Sequence, residues 1–216
     1  FNIILNKATG KNIFGDFTSK GEFDFKEKKL KGNIFTNFCN CNCIITYDEQ
    51  WQVRADGNPY EIISLSTKND DRFNFLKNSK FTLNSFLTDQ DDFLSFKGQV
   101  SFQIDDHLSN LDFQFSKIEP SVSIKSLPKI VASLEGEFVL TKAPSQILQF
   151  LLPETNYTCT ELNLRGKLKD SIIHCQYNVD DFILSNKNFF FNADIEFLSK
   201  WDIAQGICSY TGSLRQ

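Results

Sequence analysis

The run Phe93-Leu94-Ser95-Phe96-Lys97-Gly98-Gln99-Val100-Ser101-Phe102-Gln103-Ile104 decides the fold. Leu94, Phe96, Gly98, Val100, Phe102 and Ile104 share one parity, and Ser95, Lys97, Gln99, Ser101 and Gln103 share the other. Successive side chains of an extended chain leave opposite faces, so this period of two separates an apolar face from a wet one. Asp105-Asp106-His107-Leu108-Ser109-Asn110 supplies turn residues. Leu111, Phe113 and Phe115 then resume the apolar face against Asp112, Gln114 and Ser116. The two runs predict a hairpin with one apolar side.

The same pattern extends in both directions. Downstream, Ile130, Ala132, Leu134, Gly136, Phe138 and Leu140 oppose Ser133, Glu135 and Glu137, and Leu162, Leu164, Gly166 and Leu168 oppose Asn163, Arg165, Lys167 and Lys169. A turn at Lys169-Asp170 leads to Ile173, Cys175, Tyr177 and Val179, then Phe182 and Leu184. Beyond Ser185-Asn186-Lys187-Asn188 come Phe189, Phe191, Ala193, Ile195 and Phe197. Upstream, Phe23 and Phe25, then Phe35, Cys39, Cys41, Cys43, Ile45 and Tyr47 follow the same habit. About ten strands joined by short polar turns predict an all-β antiparallel meander of amphipathic hairpins, forming a strongly curved sheet or trough. Helical signal is sparse, and its best candidate is 144–152, where Pro144 suits a first turn and Pro153 a stop, and a short helix there could plug the end of a sheet. The stretch 66–92 alternates poorly and marks a soft boundary within a single β-rich segment spanning 1–216.

Composition narrows the function. Acids outnumber bases 27 to 23, which disfavours nucleic acid, whose binding rests on Lys and Arg neutralising phosphates. Mean hydropathy is −0.28. No apolar run reaches the roughly 18 residues of a membrane span, and Phe1-Asn2-Ile3-Ile4-Leu5-Asn6 lacks the features of a signal peptide. The sequence holds 23 Phe and no Met, as expected of a segment of a larger protein.

Few residues suggest reaction chemistry. His107 falls in a turn and His174 on a polar face, and neither sits in a motif with a mechanism. The Cys39-Asn40-Cys41-Asn42-Cys43 spacing places three thiols on one strand face about 7 Å apart, too far for tetrahedral metal ligation. These thiols read as small apolar lining, with a disulfide to Cys159, Cys175 or Cys208 as the alternative. Lys26-Glu27-Lys28-Lys29-Leu30-Lys31 reads as a guarded strand edge or a patch for anionic head groups. Asp70-Asp71 and Asp89-Gln90-Asp91-Asp92 lack the glycine and closing glutamate of a calcium loop. Asn156-Tyr157-Thr158 fits a glycosylation sequon. No catalytic residue, cofactor or metal is expected, because no acids, bases or nucleophiles cluster.

The apolar-x-Gly-x-apolar element recurs at Phe96-Lys97-Gly98-Gln99-Val100, Leu134-Glu135-Gly136-Glu137-Phe138 and Leu164-Arg165-Gly166-Lys167-Leu168. A strand-interior glycine marks a bend, a bulge or a close approach of backbone or ligand. Together with the repeated amphipathic hairpins, these elements resemble segments of the TamB/AsmA-like envelope proteins of diderm bacteria. That resemblance implies a long curved antiparallel sheet with an apolar trough, in a parent protein anchored in the inner membrane and serving outer-membrane biogenesis. It implies phospholipid as the ligand, membranes contacted through other parts of the parent, and a periplasmic location for this segment.

The expected lining is Phe96, Val100, Phe102, Ile104, Phe113, Phe115, Phe138, Leu140, Phe189, Phe191, Ile195 and Phe197. Acyl chains would lie on it while head groups stay in water. The rival expectation is a closed β-sandwich, secreted or at a cell surface, whose Phe residues interlock in a dry core and whose outside binds protein or glycan.

Overall fold

In a computed structural model, residues 2–12, 15–26, 29–38, 41–48, 50–62, 71–90, 93–118, 134–150, 157–186, 189–202 and 205–214 are described. They form an antiparallel β meander, as the alternation predicts, divided into two compact units, Phe1–Asp106 and His107–Gln216. The division follows Asp106. Within 66–92, the stretch read as a connection, lie a 3-10 helix at Asp71–Leu76 and a full strand at Lys80–Gln90.

Unit 1 contains β1 (Asn2–Asn12), β2 (Gly15–Lys26), β3 (Lys29–Phe38), β4 (Cys41–Asp48), β5 (Gln50–Gly57), β6 (Lys80–Gln90) and β7 (Phe93–Ile104). Each strand pairs antiparallel with the next in chain order. Directly opposite residues of an antiparallel pair share a face, so the register assembles rows across the sheet. One row reads Leu5, Gly21, Ile34, Ile45, Val53, Ser85 and Gly98, and the next reads Ser19, Thr36, Cys43, Ala55, Leu83 and Val100. β6 escapes a reading by alternation because Ser85 occupies its apolar parity. Ser85 is fully buried beside Gly98, and its hydroxyl donates to the Val53 carbonyl at 3.3 Å.

The register also corrects one face assignment. Phe35 pairs with Ile44, whereas Cys43 pairs with Thr36, so Phe35 stands on the face opposite Cys41, Cys43, Ile45 and Tyr47 and is 42% exposed. The register from Phe38 opposite Cys41 onward sets odd positions of β3 against even positions of β4. The basic cluster is where β2 and β3 meet, with Lys26 opposite Lys29.

Unit 2 contains β8 (His107–Ile118), β9 (Glu135–Thr141), β10 (Tyr157–Thr158), β11 (Glu161–Lys169), β12 (Ile172–Asn186), β13 (Phe189–Asp202) and β14 (Ile207–Leu214). Neighbours run β8-β9-β11-β12-β13-β14, and the two-residue β10 pairs with β12. Asp170 and Ser171, at φ 50° and 64°, form the two-residue turn between β11 and β12, the primed geometry that matches strand twist. β12 is longer than its alternation suggests. An extra residue at Asp180-Asp181 keeps Val179 and Phe182 on one face, and the Asp181 N–H donates to the Asp194 carboxylate at 2.9 Å.

The segment 142–150 leaves the sheet and lies across its apolar face, where Ala143 and Leu148 join the core. Lys142 takes φ 52°, and its carbonyl accepts from the buried Ser109 hydroxyl and from His107 Nε2 at 2.7 Å. Pro144 then opens a 3-10 helix at Ser145–Phe150, its carbonyl accepting from the Ile147 N–H at 3.0 Å. The short helix predicted at 144–152 is therefore present in 3-10 form as far as the described residues run. Leu148 is 0% exposed and packs with Ala143, Leu162, Leu164, Cys175, Tyr177, Val179, Phe182, Ile195 and Phe197 in the core.

The repeated glycines are sites of close cross-strand approach. A Cβ on Gly166 would collide with the Phe138 ring, and one on Gly136 would lie 2.6 Å from Phe115 Cδ1. Gly206, by contrast, is an open turn at φ 67°. Leu148→Ala should cost about 2–5 kcal/mol in denaturant unfolding through the cavity it leaves. Gly166→Val should cost about 1–3 kcal/mol by overpacking, while Gly206→Ala, with open space around it, should cost about 1 kcal/mol through its left-handed backbone alone.

Candidate functional site

The candidate site is the apolar face of each sheet. On β7, Phe96 stands opposite Leu87, Val100 opposite Leu83 and Phe102 opposite Phe81. All three are half-buried, while Ile104 is buried. Rows on this face are not uniformly apolar. The row ending at Leu83 and Val100 begins with a Ser19–Thr36 hydroxyl pair at 2.8 Å, so the greasy part of unit 1 lies toward β5, β6 and β7. Beside it, Tyr47 and Trp51 face each other with ring centroids 4.7 Å apart.

On unit 2 the register brings together Phe113 and Phe138 in one row and Leu111, Leu140 and Leu164 in the next. Phe113 and Phe115 stack at 5.9 Å, and both are half-buried. Phe191 stands opposite Leu184, half-buried. Ile195 and Phe197, opposite Val179 and Tyr177, are buried under the crossing segment with Leu148. Phe189 pairs in register with Asn186, and its side chain lies outside the described residues. The expected lining thus divides in two. Phe96, Val100, Phe102, Phe113, Phe115, Phe138, Leu140 and Phe191 keep accessible surface, whereas Ile104, Ile195 and Phe197 are already covered.

A buried polar group on this face was missed in the sequence. β13 runs on to Asp202, so Ser199 and Trp201 continue the parity of Phe197. Ser199, 5% exposed, accepts from Trp201 Nε1 at 2.9 Å and donates to the Tyr177 hydroxyl at 3.3 Å. A serine in an apolar register reads as a strand end, and only Trp201 two residues later signals continuation. Burial pushes the Tyr177 phenol up to about 12, and burial followed by the nearby Cys159 does the same for Tyr157. Tyr157 stacks on Phe182 at 5.9 Å.

The thiols behave as packing groups. Cys41 and Cys175 are buried on the apolar faces, Cys43 and Cys159 are half-buried, and Cys208 is exposed; among the described residues these five form no disulfide. Burial is the leading cause that pushes the Cys43, Cys159 and Cys175 thiols up, away from the reactive thiolate. Cys39 lies outside the described residues. Among the described residues no group of three His, Cys, Asp or Glu is placed to hold a metal. His107 bonds the Lys142 carbonyl, and His174 is exposed. In the acidic stretches, Asp71 accepts from Asn74 Nδ2 at 2.9 Å at the start of its 3-10 helix, and Asp70, Asp91 and Asp92 lie outside the described residues. Asn156 of the sequon lies outside them too. No helix among the described residues is long and apolar enough to cross a membrane.

No family model, curated protein or solved structure matches the chain. Its functional reading therefore rests on the faces themselves.

The two buried phenols carry a pH signature. Their folded-state values lie above the ordinary 10.0, so the stability they contribute is complete below pH 10 and is lost as pH rises toward 12. Ultraviolet titration of the phenolate should show part of the tyrosine ionising together with alkaline unfolding. Tyr177→Phe should shift that step to higher pH.

Proposed function

We propose that the chain is a non-enzymatic, lipid-binding β-groove segment that carries phospholipid acyl chains between the membranes of a bacterial envelope. One observation supports this reading: partly buried phenylalanines, among them Phe96, Phe102, Phe113 and Phe115, keep accessible surface on the apolar faces of the two antiparallel β units. Soluble proteins seldom leave contiguous aromatic surface wet unless it meets a ligand or partner. An acyl chain laid along such a face gains about 0.8 kcal/mol per buried methylene, so affinity comes from shared area, and a charge set within that area would disrupt it. Head groups would stay in water. The segment would sit in the periplasm, with the membranes reached through other parts of a larger protein.

A second reading, a protein-interaction or adhesion module, is favoured by one feature of unit 2. Its crossing segment already buries Ile195 and Phe197 against Leu148, as a self-sufficient core would.

Native mass spectrometry of the purified chain, followed by lipid analysis of a solvent extract, separates the two. Co-purifying phospholipid is expected, and Phe102→Asp or Phe191→Asp should remove it while circular dichroism retains the β signal. A wild-type chain free of lipid, or variants with full occupancy, would overturn the groove reading in favour of the interaction module.

A further inference from the structure

The wet face of unit 2, opposite its apolar rows, gathers basic side chains in the interior of the sheet. Arg165 and Lys167 on β11, His174 on β12 and Lys200 on β13 are all exposed. The register sets Lys167 opposite His174 and His174 opposite Lys200, while Arg165 lies opposite Gln176 and Gln176 opposite Leu198. Two adjacent rows of one face thus form a continuous block across β11, β12 and β13. The chain carries a formal net charge of −4, so this gathering runs against its composition.

Acids do not divide this block. Opposite charges on neighbouring strands stabilise a sheet, and the register of unit 1 follows that rule where it sets Lys31 between Asp24 and Asp48. In unit 2 the acids of this face stand at the rim. Glu137 reaches Lys167 at 3.9 Å, but with side chains 58% and 70% exposed the pair contributes little. Asp112 is separated from Arg165 by Val139. Asp202 stands beyond Lys200 and accepts from the Gln205 N–H at 2.9 Å, and Glu196 stands beyond Leu198, opposite Asn178 and Ser213. Between the basic side chains the surface sinks into a shallow recess of about 260 Å³, whose lining includes Arg165, Lys167, His174, Gln176 and Leu198. Leu198 is 47% exposed, an apolar residue on the wet face beside the basic ones.

We propose that this recess binds the phosphate of an organic phosphomonoester. A phosphate group is held by charge and by N–H donors converging from several sides, and the block supplies both. The Arg165 guanidinium offers a planar fork for two phosphate oxygens. Lys167 and Lys200 bring point charges from the two strands that flank β12, and His174 and Gln176 between them add N–H donors. Leu198 gives the carbon skeleton an apolar contact, which favours an ester over a bare inorganic ion. The recess has room for a phosphate and a short carbon chain. The inference does not rest on lipid binding by the apolar face, because the recess opens on the other side of the sheet.

Nuclear magnetic resonance of the purified chain, following the His174 ring and the Arg165 Nε–H as glycerol 3-phosphate is added, tests it. Saturable shifts of both signals are expected, with inorganic phosphate binding more weakly and sodium chloride at matched ionic strength producing no saturation. Arg165→Gln should weaken glycerol 3-phosphate binding about tenfold. Lys169→Gln removes the same charge from an exposed position just outside the recess and should change binding less than about twofold. Circular dichroism of both variants should match the parent. Sedimentation with phosphatidylcholine vesicles, with and without phosphatidic acid, identifies the source of the phosphate. Capture on phosphatidic acid that Arg165→Gln removes assigns the recess to a lipid headgroup, and capture that is absent or indifferent to that variant assigns it to a soluble ester. Shifts that never saturate, inorganic phosphate binding as tightly as the ester, or equal losses in the two variants would overturn the inference.

Discussion

Cross-strand register is the constraint on which everything else depends. Because opposite residues share a face, a slip of one position would turn each apolar row toward water. The protein protects this parity at its irregularities. The extra residue at Asp180-Asp181 returns Phe182 to the face of Val179, and the Asp194 carboxylate holds the displaced N–H. The glycines serve the same end. Phe138 lies over Gly166 and Phe115 over Gly136, so large rings on one strand occupy space left by missing side chains on the next. Shape as well as polarity therefore resists a shift in pairing.

A second constraint governs the core of unit 2. A sheet with one apolar face needs a cover, and among the described residues Ala143 and Leu148, just beyond β9, supply it. Its departure point is the Lys142 carbonyl, which turns out of the sheet and is held by Ser109 and His107 from β8. Leu148 then reaches full burial over β11, β12 and β13. A local polar anchor thus determines which part of the face is dry. The phenylalanines outside that cover, Phe113 and Phe115 among them, retain accessible area.

This division bears on how the face would work. Covered rows supply stability, whereas uncovered rows offer hydrocarbon surface, and a lipid-holding sheet needs both. The polar group of Ser199, Tyr177 and Trp201 satisfies itself within the apolar face. It can therefore be buried without a water or ligand partner, and the surrounding surface stays apolar.

The sequence by itself determined the all-β antiparallel class, most strand faces and the place of the short helix, because a period of two is a local property that any extended chain displays. It also placed Phe96, Val100, Phe102, Phe113, Phe115 and Phe138 on apolar parities. Only the tertiary structure decided what depends on distant partners. β6 was illegible because Ser85 breaks the alternation yet is buried by Gly98 and Val53, which lie elsewhere in the chain. β1 was missed because its apolar and polar residues do not separate by parity, and β14 because its alternation is carried by small or mixed residues, Cys208, Tyr210 and Gly212, with Ile207 on the hydroxyl parity. Phe35 changed faces because parity across a reversal depends on the turn, and composition does not reveal it. Above all, Ile195 and Phe197 are covered where Phe113 and Phe115 are not. The same residue type on the same parity becomes core or surface according to where a segment thirty or more residues away crosses the sheet.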